Sequence, residues 1–417
     1  MIQLIKGFKD ILPDEIVLWQ YIEDTARALF EDFGFREIRL PIVEKSELFS
    51  KSIGDTTDIV EKEMYTFEDG KRGNVTLRPE ATASVVRSYI QHKMYAEEPV
   101  RKLYTIGPMF RRERPQKGRY RQFYQIDAEV FGTASPYMDA QIIFMLVSLF
   151  NKLAVQNVSA HINSLGCPVC RPDFQKALFS LLESQKDHLC ENCLRRSEKN
   201  PLRTLDCKVP SCRNALKDAP SILDFLCGDC QSHFNTVKDL LTRQNIPFDI
   251  DKNLVRGLDY YTRTAFEILT TSLGAQNAVA GGGRYDGLVE ALGGPSQPAI
   301  GFAIGFDRLA EIMAQNRTLP PKNPKIYIAA LGDTCRNLAW GWASDLCLDG
   351  VQTEMDFEER SLKSHMKRAD KFHADFVLIL GDNERENGHA LFRNMESKEQ
   401  ISVPLDDLVP QLIKIIG

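Results

Sequence analysis

No stretch of the chain approaches the roughly 18 consecutive apolar residues that a membrane-spanning helix needs. The longest apolar run, residues 142–150, is half that length. The N-terminal segment MIQLIKGFKD has no hydrophobic core of the secretory kind, so a cytoplasmic protein without membrane attachment is expected. An excess of positive charge is also missing: 52 Lys and Arg stand against 57 Asp and Glu, a net charge of −5. This excludes a globally basic nucleic-acid binder and leaves room for a local cationic patch. Neither familiar glycine loop for phosphate is present. There is no GxxxxGK followed by Ser or Thr, and GGGRYDG (281–287) fails GxGxxG because Asp286 holds the last position. No internal repeat is visible.

The length of 417 residues suggests two to three domains, and 43% hydrophobic with 26% charged residues is the balance of a globular protein with an ordinary core. Residues 1–165 alternate helix and strand. Ile16, Trp19, Ile22, Ala26, Leu29 and Phe33 recur at helical spacing, and Gly34 ends the helix. Residues 35–40 predict a strand stopped by Pro41, and residues 80–95 a helix opening after Pro79. Two strands follow, 103–110 and 123–131, joined by a charged loop. Residues 166–235 differ in composition and read as an insertion; strand-like, glycine-rich sequence resumes over 254–305. Three prolines within 317–324 predict a stiff linker. Beyond it, strand 325–330, helix 334–348, a short strand, helix 361–372, strand 376–380, a further strand and a last helix predict a small α/β domain with a mostly parallel sheet.

Four segments could carry chemistry. From Arg101 to Arg121 there are eight Lys or Arg and one acid, Glu113. Guanidinium groups fork two bonds to phosphate oxygens, so a dense cationic hairpin suits a polyphosphate; a solvated charged loop is the alternative. Phe110, Tyr120, Phe123 and Tyr124 interleave with these charges, and Gln125, Asp127 and Glu129 share one face of the following strand. That combination describes a pocket better than a core. LVRGLDYYTRT (254–264) places Arg256 and Asp259 around Gly257, which is either a reactive turn or a surface one. AGGGRYDG (280–287) offers close backbone approach to a ligand or a tight turn. GFAIGFDR (301–308) reads as a buried strand entering a helix that presents Arg308.

Eight of the ten cysteines form four close pairs: Cys167 and Cys170, Cys190 and Cys193, Cys207 and Cys212, Cys227 and Cys230. Eight thiolates fit two tetrahedral zinc sites of four sulfurs each. Reduced unliganded thiols and an iron–sulfur cluster are the alternatives, His233 could replace one thiolate, and three pairings of the pairs are possible. Cys335 and Cys347 read as buried apolar residues of the last domain.

These segments together resemble the bacterial histidyl-tRNA synthetases, a class II aminoacyl-tRNA synthetase family. Residues 35–49 resemble motif 1, 104–132 motif 2 and 301–308 motif 3. LVRGLDYYTRT and AGGGRYDGL resemble the two histidine-specific signatures, TLRPE (76–80) the amino-acid-binding segment, and 360–384 the anticodon-binding domain. The resemblance implies an α+β catalytic domain, an antiparallel sheet flanked by helices, in 1–165 and 236–318. It implies a Cys-rich, mostly helical insertion in 166–235, a linker at 319–324 and a C-terminal α/β anticodon-binding domain in 325–417.

The implied activity is histidine–tRNA ligation: ATP, with Mg2+, activates L-histidine to the adenylate, which is transferred to the 3′-terminal ribose of tRNA(His). By resemblance, Glu80, Thr82 and Gln125 take the ammonium, and Glu129 and Tyr261 read the imidazole beside Tyr260 and Tyr285. Arg111 and Arg256 match the arginines at the α-phosphate, Glu113 and Phe123 the adenine contacts, Arg119 and Arg121 further cationic positions for ATP, and Arg308 the γ-phosphate arginine. Arg256, Arg111, Gln125 and Glu80 are the expected catalytic set. A homodimer through the motif 1 region is implied, and zinc is expected in the insertion. Ala81 departs from the family's usual glycine, with a small effect expected at a helix start. The last domain, with 11 Lys and Arg against 16 Asp and Glu, is acidic, so anticodon reading would rest on stacking and base-edge contacts. Lys363, Lys367, Arg368 and Lys371 lie along one helix, which reads equally as a backbone contact or a solvated face. A non-catalytic regulatory relative is disfavoured because Arg111, Arg256, Arg308 and the domain after Pro324 are all present.

Overall fold

The computed structural model describes all residues except 55–56, 117, 259, 271–277, 316–323 and 417. The linker expected at 317–324 therefore lies outside the described residues, apart from Pro324. The chain divides into two compact units, Met1–Pro320 and Pro321–Gly417.

The first unit is built on an eight-stranded sheet. Its centre is the antiparallel hairpin of Arg101–Phe110 and Gln122–Phe131, continued by antiparallel Ala299–Gly305, Ala278–Arg284, Thr262–Thr270 and Val158–Ser164. Parallel edges close it at Arg36–Glu37 and Phe248–Ile250. The strand expected over 35–40 is only these two residues: the Ile38 N–H makes the last ladder bond, to the Tyr104 carbonyl, and the Leu40 and Ile42 carbonyls accept from Arg78 instead.

Alternation on Gln122–Phe131 decides which face does what. Ile126, Ala128 and Val130 join the main core with helices Pro13–Asp32 and Pro136–Lys152, while Gln125, Asp127 and Glu129 face the other side. The first helix starts where Pro13 occupies its first turn with Asp14 and Glu15, and ends before Gly34 at φ +80°. It buries Trp19, Ile22, Ala26, Leu29 and Phe30, each large side chain contributing on the order of 1.5–3 kcal/mol. On the polar face, helix Thr82–Gln91 is shorter than the 80–95 expected; Ala81 caps it, buried, and its φ of −99° is negative and so does not call for glycine.

The insertion is helical, with Arg171–Ser184, Glu191–Lys199 and Pro210–Ala215 around a small apolar cluster. Helix Gly228–Arg243 begins in it and runs back to bury Phe234, Val237 and Leu241 in the main core.

The second unit is a five-stranded sheet. Gln352–Met355, Lys325–Ala330 and Phe376–Leu380 are parallel, but His389–Asn394 and Gln400–Pro404 add antiparallel pairs. The expected mostly parallel sheet is therefore mixed: the turn after Asn394 is too short for a crossover, so the last strands form a hairpin. Cys335 is buried as expected and Cys347 is exposed. Twelve residues along one helix place the two about 120° apart, so they cannot share its buried face. Arg368 pairs with Asp356 at 3.1 Å, while Lys363, Lys367 and Lys371 are exposed.

Candidate functional site

A cavity of about 340 Å³ opens on the polar face of the sheet. Strand Gln122–Phe131 contributes Phe123, Gln125, Asp127 and Glu129; the start of helix Thr82–Gln91 contributes Glu80 and Thr82; and the basic hairpin contributes Arg111, Glu113 and Arg119. Arg256, Tyr260, Tyr261, Tyr285 and Arg308 complete the predicted set. Of the residues expected there, Arg121 alone does not line the cavity. Its backbone N–H donates to Gly7 and its guanidinium turns to the Lys6 and Glu113 carbonyls.

One part of the wall is acidic and buried. Glu80 accepts the N–H groups of Thr82 at 2.8 Å and Ala83 at 2.9 Å, lying on the N-terminus of its helix. Glu129 accepts from Thr82 Oγ1 at 2.6 Å and from the Tyr285 hydroxyl. Asp127 Oδ2 and Gln125 Oε1 are buried without a partner among the described residues. Burial pushes the Glu80 carboxyl up, against the helix N–H donors. Burial, then the charges of Glu129 and Glu80, pushes Asp127 well above the usual range. Burial lifts Glu129 to about 8 although Thr82 and Tyr285 donate to it. Such orphaned acceptors and raised carboxyls are what a cation-binding pocket shows when nothing neutralises it.

The other part is cationic. Arg119 meets Glu113 at 3.3 Å, and Arg308 Nη1 donates to the Ala278 carbonyl at 2.7 Å. Arg111 lies over the Phe123 ring at 5.2 Å and donates from Nε to the Pro79 carbonyl. Burial and the positive charges of Arg119 and Arg111 lower Arg308. Arg111 also acts electrostatically on Glu80 and Asp127, so it joins the acidic and cationic parts. Arg256 sits against Glu267 and over the Tyr261 ring at 5.6 Å.

Gly281, Gly282 and Gly283 of AGGGRYDG are strand residues, with Gly281 lining the cavity, while Gly287 lies in the turn that follows. A Cβ on Gly281 would stand 2.5 Å from Arg256 Nη1, so the missing side chain is what admits that guanidinium. Glu267 was not anticipated; the only signal was a lone acid in the apolar strand Thr262–Thr270. Nor was Arg284 assigned a role. It is fully buried and bonds Asp139, the Thr133 and Ser135 carbonyls, and Asp286. Asp259, named beside Arg256, lies outside the described residues.

The cysteines gather as Cys167, Cys170, Cys227, Cys230 and as Cys190, Cys193, Cys207, Cys212, one of the three possible pairings. Sγ–Sγ separations of 3.6 Å (Cys167 to Cys170) and 3.9 Å (Cys167 to Cys227, Cys190 to Cys207) match the edge of about 3.8 Å that a tetrahedron with Zn–S near 2.3 Å requires. Backbone N–H groups of Cys227 and Cys190 donate to the sulfurs of Cys170 and Cys212 at 3.2 and 3.1 Å. His233 is not a ligand: its Nε2 is 2.7 Å from Asp139.

A family model described as histidyl-tRNA synthetase matches residues 7–309, and an anticodon binding domain model matches 325–415. The chain is 61% identical to the histidine–tRNA ligase of Desulforapulum autotrophicum over 100% of its own length and 98% of that protein. It is 60% identical to that of Desulfatibacillum aliphaticivorans over the full length of both. It superposes on the apo histidyl-tRNA synthetase of S. aureus with a TM-score of 0.82 at 36% identity, covering 99% of each chain.

Proposed function

The chain belongs to the histidyl-tRNA synthetase family, and we propose that its cavity divides the work of histidine–tRNA ligation between the two walls just described. It is an aminoacyl-tRNA ligase that charges tRNA with histidine. ATP with Mg2+ is the family's energy source; the metal neutralises phosphate charge.

The single observation that carries the assignment is the position of Arg111, within electrostatic reach of Glu80 and Asp127 on one side and Arg308 on the other. Histidine brings a cation and a carboxylate, and ATP brings the phosphates that this carboxylate attacks. Glu80, Thr82 and Gln125 take the ammonium. Glu129 and Tyr261 read the imidazole, with Tyr260 and Tyr285 closing the pocket around it. A site built on such hydrogen bonds rejects apolar isosteres strongly, because an unmatched ligand leaves buried groups unpaired. Arg111 and Arg256 hold the carboxylate and α-phosphate together, Phe123 and Glu113 hold adenine, and Arg119 and Arg308 hold the outer phosphates. The substrate carboxylate is itself the nucleophile, so the first step needs fixed positive charge rather than a general base.

Each cysteine cluster holds one structural Zn2+, which the sulfur spacing supports. Residues 35–49 form the homodimer contact, supported by exposed Ile42 and Val43 there and Phe67 in the adjoining three-stranded sheet. The second unit reads the anticodon of tRNA(His). No described helix is long and apolar enough to cross a membrane, which is compatible with the expected cytoplasmic location.

ATP–pyrophosphate exchange with each amino acid in turn tests the assignment. Histidine alone supports exchange if it holds; exchange with another amino acid, or with none, rejects it.

A further inference from the structure

Two arginines of the insertion bond to main-chain carbonyls of the cavity wall. Arg171 opens its helix directly after Cys170 of the first cluster. Its Nε donates to the Leu165 carbonyl at 3.2 Å and its Nη2 to the carbonyl of Tyr261. Arg203 lies in the 3-10 turn Pro201–Asp206, which runs straight into Cys207 of the second cluster. Its Nη2 donates to the carbonyl of Gly257. These two carbonyls bracket the segment that supplies Tyr260 and Tyr261, and Arg256 immediately precedes it.

The second cluster is tied to the same wall elsewhere. Arg196, three residues after Cys193, meets Asp58 at 3.0 Å, and Arg195 meets Glu61 at 3.2 Å. A smaller cavity of about 190 Å³ lies at this junction and shares Ile59, Arg256 and Gly257 with the main one. The insertion's own apolar cluster is small, and of the helices wholly within it only Arg171–Ser184 exceeds nine residues. Its geometry is therefore set largely by the cross-links a metal would make.

We propose that Arg171 and Arg203 are positioning residues: with both cysteine clusters loaded, they clamp the two ends of the 257–261 segment, so that histidine activation depends on the metal-bearing insertion. The inference rests on the histidine-activating and zinc-binding readings above. Both contacts are charge-assisted bonds to main-chain carbonyls, which fix backbone position rather than substrate directly. Their loss shifts the reacting groups, and a displacement near 1 Å costs on the order of 100-fold in rate.

The test uses the full chain as Arg171→Ala, Arg203→Ala and Arg203→Lys, with metal content, thermal midpoint, exchange kinetics and calorimetric histidine titration. Wild-type zinc and midpoint are expected in all three. Arg171→Ala, which frees the Tyr261 end, raises KM for histidine about tenfold, weakens the calorimetric Kd equally, and leaves KM for ATP within about twofold. Arg203→Ala, which frees the Arg256 end, lowers kcat about tenfold, and Arg203→Lys, keeping one donor, recovers most of it. Wild-type kinetics in both alanine variants overturn the proposal. So does a uniform loss in all constants accompanied by lost zinc, which would reduce the arginines to folding contacts. Wild-type protein without zinc, or without histidine-dependent exchange, refutes the underlying readings, and the clamp with them.

Discussion

The Tyr285 hydroxyl donates to one oxygen of Glu129 while Thr82 holds the other at 2.6 Å, and all three side chains are buried. This pair joins the glycine-rich signature to the polar strand of the basic hairpin. It gives a carboxyl that burial holds protonated a fixed orientation, the one that the proposed imidazole contact requires.

That carboxylate has a cost that can be measured. Its folded value of about 8 exceeds the ordinary 4.5, so between these values the folded chain keeps a proton that the unfolded chain has released. Stability is therefore greatest below about 4.5 and falls as pH rises through 8, by at most about 5 kcal/mol for this group. Glu129→Gln removes the penalty. Urea unfolding at pH 8 should find the variant more stable by up to about 4 kcal/mol, the gap closing near pH 4.5, while KM for histidine rises at least about tenfold. A gap independent of pH contradicts this reading of Glu129.

Gly301 lies under the same carboxylate. A Cβ there would stand 1.6 Å from Glu129 Oε2 and 2.7 Å from the Ala128 carbonyl oxygen. Gly301→Ala should push the Glu129 side chain off its two donors, with a loss of about 1–3 kcal/mol in stability and a selective rise in KM for histidine. Unchanged histidine kinetics would show that Glu129 need not sit where it does.

Zinc content should be two ions per chain, one for each cluster. Cys167→Ser should release one ion and Cys190→Ser the other, while each double variant within a cluster (Cys167 with Cys227, Cys190 with Cys207) releases no more than its single parent. Elemental analysis of dialysed protein decides it. Additive loss in those double variants would mean that the sulfurs pair otherwise.

Arg284 and Asp139 form a buried ion pair extended by His233 and Asp286. Burial alone would raise Asp139, but His233 and Arg284 hold its carboxyl below the usual range. Arg284→Met strands that charge and should cost about 3–5 kcal/mol. Replacing both members with apolar residues should cost less. Denaturant melts of the single and double variants check the ordering.

Much of this site was legible because strand geometry is periodic. Gln125, Asp127 and Glu129 could be placed on one face before any fold was known. The pairing of cysteines could not, since the first pair joins the fourth across 60 residues, from Cys167 to Cys227, and only the path of the helices between decides that. Arg121 has the same strand parity as Phe123, yet the N-terminal segment around Gly7 captures it, a contact with no local signal. Arg284 and Glu267 were overlooked for a related reason. Their partners, Asp139 and Arg256, come from other elements, and a lone charge in a strand does not say what it meets. His233 looked like a spare ligand by proximity in sequence, but its helix turns it away from the sulfurs and toward Asp139.

Histidine-dependent ATP–pyrophosphate exchange, measured on the wild-type chain and on Arg256→Ala, bears on all of this at once. Robust exchange with histidine, reduced at least about a hundredfold in the variant, is the predicted result, since one such transition-state contact contributes about 2.7–4 kcal/mol. A folded, zinc-loaded protein that shows no exchange, or an Arg256→Ala variant as active as wild type, would contradict it.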